Sequence, residues 1–554
     1  MTDQFVAMTS NASYLHGASD TPLLGETIGD NLRRTVDRVP ERDALVVRSQ
    51  GYRASYRALW DATTDLAKAL LARGLQKGDR VALWSPNRHE WVVAQYATAR
   101  VGVILVNVNP AYKARELAHV LNQSGTRLLL LARGFRRTRY TELLESVRSS
   151  CASLEEAIVI DDGWDELLAS GASVTDEALD TRESALSFDD PINIQYTSGT
   201  TGAPKGATLS HHNVLNNGFF CGETLGYTEV DRVCIPVPFY HCFGMVIGNL
   251  ACTTHGACMV VAGESFDAGA TLAAVEAERC TSLYGVPTMF IAQLNHPSFA
   301  QSKLSTLRTG VMAGSPCPVD VMRNVQDRMH MKEVTICYGM TETSPVSTQT
   351  RVDDPLEARV STVGRIHPHV EVKVVDPNTG RLVPRGVPGE LCTRGYVVMI
   401  GYWNEPAATA DAIDAAGWMH TGDLATIDDS DYVAIVGRIK DIIIRGGENI
   451  YPREVEEFLH THPDIEDAQV IGVPSEEYGE EVMAWVKVNA ELTPAALKAF
   501  CRGQIATYKI PRFWKLVDEF PLTVTGKVQK FRMREIAAEE LSNEGDGPSS
   551  GFES

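Results

Sequence analysis

The sequence predicts an α/β protein: a large N-terminal domain of stacked αβ subdomains with a small β-rich subdomain, then a small α+β C-terminal domain. Three observations carry this expectation. Apolar strand-like runs alternate with helical segments as far as Met329, the pattern of largely parallel sheets covered by helices. From Val363 the texture turns to short β-rich runs with turn residues between them. After Arg438 a separate helix–strand alternation begins, and 554 residues are too many for one growing core.

The elements follow in order. Residues 1–25 show no strong pattern and are expected to be mobile. Ser55 reads as the N-cap of an amphipathic helix over 56–73, closed by Gly74. Lys77-Gly78-Asp79 turns into a strand over 81–84, followed by helix 90–100 and strand 103–108. The alternation repeats with helix 114–123, strand 127–131, helix 140–149 and strand 157–160. A β-prone run at 191–195 precedes a polar loop. Beyond it come strand 233–238, helix 271–279, strand 282–286, helix 319–329 and strand 334–337. The β-rich part takes strands at 370–375 and 389–394, with turns at Pro377-Asn378 and Pro388-Gly389, and residues 418–423 read as a compact polar turn. The C-terminal unit, 442–541, opens its first helix on Pro452, has strands over 467–473 and 482–488, and has a helix over 494–503. Residues 542–554 are polar, Gly/Ser-rich and expected to be disordered.

A net charge of −20 argues against nucleic acid or an anionic membrane as partner of the whole molecule. Any bound polyanion must be met by locally placed cations and N–H groups. The 11 cysteines include no C-x-x-C spacing, which points to reduced thiols in a cytoplasmic compartment rather than a disulfide framework or zinc site. No signal or transit peptide pattern opens the chain, and no apolar run of about 18 residues spans a membrane. Oligomeric state is not legible.

Residues 196–206 read YTSGTTGAPKG. Hydroxyls at Thr197, Ser198, Thr200 and Thr201 alternate with Gly199, Gly202 and Ala203, and Pro204 and Lys205 close the loop. Glycines let the backbone approach a phosphate closely, hydroxyls add neutral donors, and the lysine adds a point charge. It is not a Walker A loop, because Lys205 precedes Gly206 rather than following a final glycine. Taken alone, the loop reads equally as a phosphate cradle or a surface linker. Further compact segments accompany it: Gly314-Ser315-Pro316, YGMTET at 338–343, HTGD at 420–423, GRIKD at 437–441, Gly446-Gly447-Glu448, and TGK at 525–527.

Together, in this order, these motifs resemble the adenylate-forming enzymes: acyl-CoA synthetases, adenylation domains and beetle luciferases. The resemblance covers residues from about 30 to 540. Residues 107–112 (NVNPAY) and 238–244 (PFYHCFG) look most like the medium- and long-chain fatty acyl-CoA synthetases.

The resemblance implies ATP, magnesium and coenzyme A as the small molecules handled, with a fatty or other apolar carboxylic acid as substrate. It implies that residues 197–205 close over the β- and γ-phosphates, that Glu342 holds magnesium and that Thr341 touches the α-phosphate. Asp423 would take the ribose hydroxyls, a task suited to a carboxylate that only accepts. Arg438 would support the same ribose, while Gly314, Ser315, Tyr338 and Gly339 would flank adenine. Lys527 is implied as the catalytic cation for acyl-adenylate formation. Lys440 matches a hinge at 439–441 between a domain over 26–438 and a mobile C-terminal domain, whose rotation would bring Gly446, Gly447 and Glu448 to the thiol channel. His241 matches a gate between carboxylate and thiol, with an ordinary core histidine as the alternative. Two other activities stay open: transfer of the acyl group to a carrier protein, and a non-catalytic nucleotide-binding module on the same fold.

Overall fold

Two large mixed sheets share one helical layer. A computed structural model of the chain describes residues 11–197, 204–315, 317–446, 448–475, 477–522 and 528–544. The first sheet has seven strands in the order Gly401–Tyr402, Lys205–Ser210, Pro191–Thr197, Ile104–Asn107, Arg80–Trp84, Leu128–Leu131, Glu156–Val159. From Pro191–Thr197 onward every neighbour is parallel. The second has nine strands, with a parallel centre from Asp43–Val47 to Glu333–Tyr338 and antiparallel edges. Strands covered on both faces have no polar side to show, so all four leucines of Leu128–Leu131 are buried.

The helix His89–Val101 packs against strands of both sheets and is buried from Glu90 to Val101. Its two buried charges are satisfied: Glu90 accepts from Arg88, and Arg100 donates to Glu183, Thr63 and Thr64 and lies 3.6 Å from the centre of the Trp60 ring. The helix Tyr56–Ala72 starts where Ser55 predicts; its hydroxyl accepts the Ala58 N–H, a cap stabilising by about 1 kcal/mol. Gly74 takes φ +71° just beyond its end.

The β-rich subdomain is a five-stranded antiparallel sheet: Tyr14–His16, Val370–Val375, Gly389–Gly395, Met419–Ile427, Val433–Arg438. Three expectations are corrected here. Within the N-terminal stretch expected to be mobile, Tyr14–His16 is an edge strand with Leu15 in the core, because its alternating exposure fits the pleat. Residues 418–423 are not a turn: Met419–Ile427 is one continuous strand, and its glycine and hydroxyls sit at an irregular register rather than at a chain reversal. The turn lies at Arg385-Gly386, with Gly386 at φ +76°, while Gly389 begins a strand.

In the C-terminal unit, Ile465–Ser475 and Gly479–Val488 form a long hairpin flanked by Ile443–Arg445 and Glu448–Ile450 on one side. Phe513–Leu516 adds a parallel strand to it. Pro452 opens the helix Pro452–Leu459, and the last helix, Lys530–Glu544, runs past the expected start of the tail. All eleven cysteines are free and buried. Among the described residues, no helix is long and apolar enough to cross a membrane.

Candidate active site

Three of these segments, the loop between Thr197 and Lys205, Gly314-Ser315 and residues 338–343, lie where strands of the two large mixed sheets end. Ligands of such sheets bind beyond the carboxyl ends of the strands. Thr197 ends its strand opposite Lys205, which begins the next, so the polar loop connects two antiparallel neighbours. Ser198 to Ala203 lie outside the described residues, as do Pro316, Gly447 and Lys527. Gly314 and Ser315 follow the strand Thr309–Ala313, whose Ala313 pairs with Cys337, one residue before Tyr338. Both are exposed at this lip.

Tyr338 leads into the short helix Thr341–Thr343, which carries Glu342. Gly339 makes that path possible: at φ +156°, a Cβ there would stand 1.8 Å from the Pro345 carbonyl oxygen. The segment is clamped from behind. Asn217, fully buried, donates to the Val346 carbonyl and accepts its N–H, and the Ser344 hydroxyl donates to the Val397 carbonyl at 2.6 Å.

Glu342 is only 5% exposed, yet its Oε1 accepts from the Thr197 hydroxyl at 3.2 Å and the Tyr402 hydroxyl at 2.9 Å. The Lys205 ammonium lies 5.1 Å from the centre of the Tyr402 ring. Burial and then the carboxylate of Glu342 push the Tyr402 phenol well above its ordinary range, so it remains a donor. A buried hard-oxygen carboxylate beside a lysine and two hydroxyls fits a magnesium–phosphate group.

A second cluster surrounds Asp423, also 5% exposed. Its Oδ2 accepts from the Tyr338 hydroxyl at 2.7 Å and its Oδ1 from Arg438 Nε at 2.8 Å. Burial, then Asp423 itself, raises the Tyr338 pKa far above the usual tyrosine value. Asp423 and Arg438 are direct partners in the ladder, so backbone pairing sets their distance.

Directly after Arg438 comes the single-turn helix Ile439–Asp441, with Lys440 exposed on it. Asp441 is tied to Arg534 of the last helix at 2.9 Å. Gly446 turns at φ +56° beside Tyr478, and Glu448 is exposed at the start of its strand. Leu522 and Val528, on either side of the TGK segment, form an antiparallel bridge. His241 is half-buried; its Nδ1 accepts the Phe243 N–H at 3.1 Å, ahead of a π-helical segment, Phe243–Leu250. That segment is anchored to the loop's own sheet. Cys242 donates to Gln195 Oε1 at 3.2 Å, and Asn107 donates to the Tyr240 carbonyl at 3.0 Å.

This geometry has counterparts elsewhere. Residues 32–403 match the family model described as AMP-binding enzyme, and 454–527 match the AMP-binding enzyme C-terminal domain. The chain belongs to the AMP-binding enzyme family. YngI of Bacillus subtilis (strain 168) is 47% identical over 539 residues, covering 93% of this chain and 98% of that one. The zebrafish (Danio rerio) medium-chain acyl-CoA ligase ACSF2, mitochondrial, is 43% identical over 559 residues, 96% of this chain and 92% of the relative. The crystal structure of ATP-bound MatB from Rhodopseudomonas palustris superposes with a TM-score of 0.81 at 30% identity, covering 92% of this chain and 98% of that one. This AMP-binding enzyme is therefore an adenylate-forming enzyme of the acyl-CoA synthetase class, with the expected large N-terminal and small C-terminal domains.

Sequence reasoning missed Tyr402, whose hydroxyl and ring face touch both Glu342 and Lys205. It lies sixty residues from Glu342, and only its place on the two-residue edge strand Gly401–Tyr402 brings it in. The anchoring roles of the buried amides Asn107, Gln195 and Asn217 were equally invisible, because nothing local distinguishes a clamping amide from a surface one.

Proposed function

We propose that this AMP-binding enzyme is an ATP-dependent fatty acyl-CoA synthetase. It joins a medium- or long-chain carboxylic acid to AMP with release of pyrophosphate, then passes the acyl group to the thiol of coenzyme A. The observation that carries this reading is the pair of buried carboxylates, Glu342 and Asp423, held on one continuous path from Tyr338 and each fixed by hydroxyl or guanidinium donors. The medium-chain activity named for the ACSF2 relative supports the acid class. The eleven buried free thiols suit a reducing, cytoplasmic compartment.

Residues 197–205 hold the β- and γ-phosphates in this reading, with Lys205 supplying charge and Thr197 fixing the loop to Glu342. Glu342 holds magnesium, which when bound neutralises phosphate charge. Thr341 reaches the α-phosphate. Asp423 takes the ribose hydroxyls with the lone pairs that Tyr338 and Arg438 leave, since a carboxylate has about four acceptor sites. Gly314, Ser315, Tyr338 and Gly339 bound the adenine. Lys527 stabilises the charge that develops as the carboxylate attacks the α-phosphorus. The C-terminal domain then turns about 439–441 at Lys440. Gly446, Gly447 and Glu448 come to the pantetheine arm, and His241 gates the thiol's approach.

Half-reactions measured separately test this assignment. Lys527→Ala should abolish acid-dependent pyrophosphate release, a loss of about 10²–10³ or more, while thioester formation from supplied acyl-AMP survives. Equal loss of both half-reactions would sink the assignment of Lys527. Pyrophosphate release across acids from acetate to palmitate locates the chain length, and a preference for acetate would overturn the fatty-acid reading.

A further inference from the structure

A second group of side chains stands on the β-rich subdomain, on the sheet face away from its apolar core. Leu391 belongs to that core, whereas Glu390 and Cys392 alternate onto the opposite face. Cys392 pairs directly with His420 on the next strand. His420 Nδ1 lies 2.8 Å from Glu390 Oε2 and 3.6 Å from Cys392 Sγ, and one ligand atom from each residue falls within 4.8 Å of the others.

We propose that Glu390, Cys392 and His420, which only strand pairing brings together and which cysteine spacing therefore did not reveal, form a zinc site with three protein ligands and a fourth position for water, distinct from the magnesium position at Glu342. The donor set decides the metal. One thiolate, one imidazole and one carboxylate suit zinc, whereas magnesium takes oxygen ligands. Tetrahedral zinc at ordinary bond lengths sets sulfur and nitrogen about 3.6 Å apart; these two atoms already stand at 3.6 Å. The nitrogen and the carboxylate oxygen must open from their hydrogen bond to about 3.4 Å, a shift within the reach of a glutamate side chain.

The surroundings complete the site. His420 Nε2, the nitrogen turned away from the cluster, faces Asp414 Oδ2 at 3.8 Å. An outer carboxylate on the second ring nitrogen is how metal-bound histidines are oriented. Glu390 Oε1 accepts the Gly422 N–H at 3.2 Å, leaving Oε2 to turn to the ion. The His420 side chain is 33% exposed and Cys392 is fully buried, so an ion enters over the histidine and meets sulfur at the bottom. Burial, then Glu390, pushes the Cys392 thiol up to about 12. Zinc binding releases the Cys392 thiol proton to solvent, because the thiolate is the form that ligates. Lys373, the opposite ladder partner of Cys392, lies 4.4 Å from the centre of the Trp418 ring and offsets the negative charge of the two anionic ligands.

Titration of the full-length, chelator-treated chain with cobalt(II) in magnesium-free buffer reads this directly. One equivalent should bind with a thiolate-to-cobalt charge-transfer band in the near ultraviolet, and zinc should remove the band. Cys392→Ser should abolish it. His420→Ala and Glu390→Gln should each weaken binding at least about tenfold, and Asp414→Asn by about tenfold, the usual cost of losing an outer partner. A missing band, or a band that persists in Cys392→Ser, overturns the site. If Cys392→Ser fails to fold by circular dichroism, the other variants decide: unchanged affinity in both His420→Ala and Glu390→Gln overturns it equally.

Discussion

Asp423 and Arg438 face each other across two antiparallel strands, Nε to Oδ1 at 2.8 Å, while Tyr338 occupies the other oxygen of the carboxylate at 2.7 Å. The acid is buried and the arginine side chain is 50% exposed, so the pair is asymmetric. Asp423→Asn takes the charge from a buried acceptor and leaves two donors pointing at a neutral amide. Hydrogen bonds to charged groups contribute about 1.5–3 kcal/mol, so the ATP KM in pyrophosphate release should rise about 10- to 100-fold. Arg438→Ala should cost less, about tenfold or under, because solvent already screens its side chain. An Asp423→Asn enzyme with unchanged ATP KM would remove this residue from the ribose site.

Glu342 and Tyr402 give a second measurement. Glu342→Gln keeps the shape and loses the anion, so half-saturating magnesium should rise at least about tenfold while the thermal midpoint stays near that of the parent. Tyr402→Phe removes one hydrogen bond of about 1 kcal/mol and should move the same curve about fivefold in the same direction. If magnesium dependence is unmoved in Glu342→Gln, the metal is held elsewhere.

The glycines separate steric from conformational cost. Gly339→Ala sets a Cβ 1.8 Å from the Pro345 carbonyl oxygen, a backbone atom that cannot yield without moving the whole Glu342 turn. Gly380 also has positive φ, +67°, but among the described residues nothing lies within 4 Å of a Cβ there. Gly380→Ala should cost about 1 kcal/mol and leave activity intact. Gly339→Ala should lower the thermal midpoint by several times as much and abolish adenylation. Similar midpoints for the two variants would show that the turn is not held by this contact.

How much of this could be read in advance depends on where the information sits. The helix Tyr56–Ala72 and its cap were legible because Ser55 and Gly74 act within one turn of the residues they bound. Val370–Val375 was legible because its period-2 pattern is written in six adjacent residues. Motif residues such as Asp423 and Glu342 stood out, but the strand through 419–427 did not: its HTGD segment has turn chemistry, and neighbouring strands override it. Tyr14–His16 becomes a strand only because Val370–Val375 offers an edge more than 350 residues away. Tyr402 enters the site by the same kind of long-range pairing.

The last prediction concerns acid stability. His211 is fully buried at the first position of the helix His211–Thr224; its Nδ1 accepts the Ile28 N–H at 3.2 Å, and Nε2 has no hydrogen-bond partner among the described residues. Burial pulls its pKa down to about 3, since a cation there would lose its water without gaining an acceptor. His367, equally buried, is displaced in the same direction by burial and by Arg351. In the unfolded chain both titrate near 6.5. Below that value the unfolded state takes up protons that the native state refuses, so their stabilising effect is complete above about 6.5 and declines as pH falls toward 3. The slope is about 1.4 kcal/mol per pH unit for each histidine. Carboxylates with lowered pKa add to the loss only below their own range, near 4. The calorimetric midpoint should therefore fall between about pH 6.5 and 5, before carboxylates titrate. His211→Gln, which cannot take up a proton in either state, should flatten that fall relative to its own value at neutral pH. A midpoint that holds steady or rises over this interval would contradict the assignment of neutral, buried imidazoles.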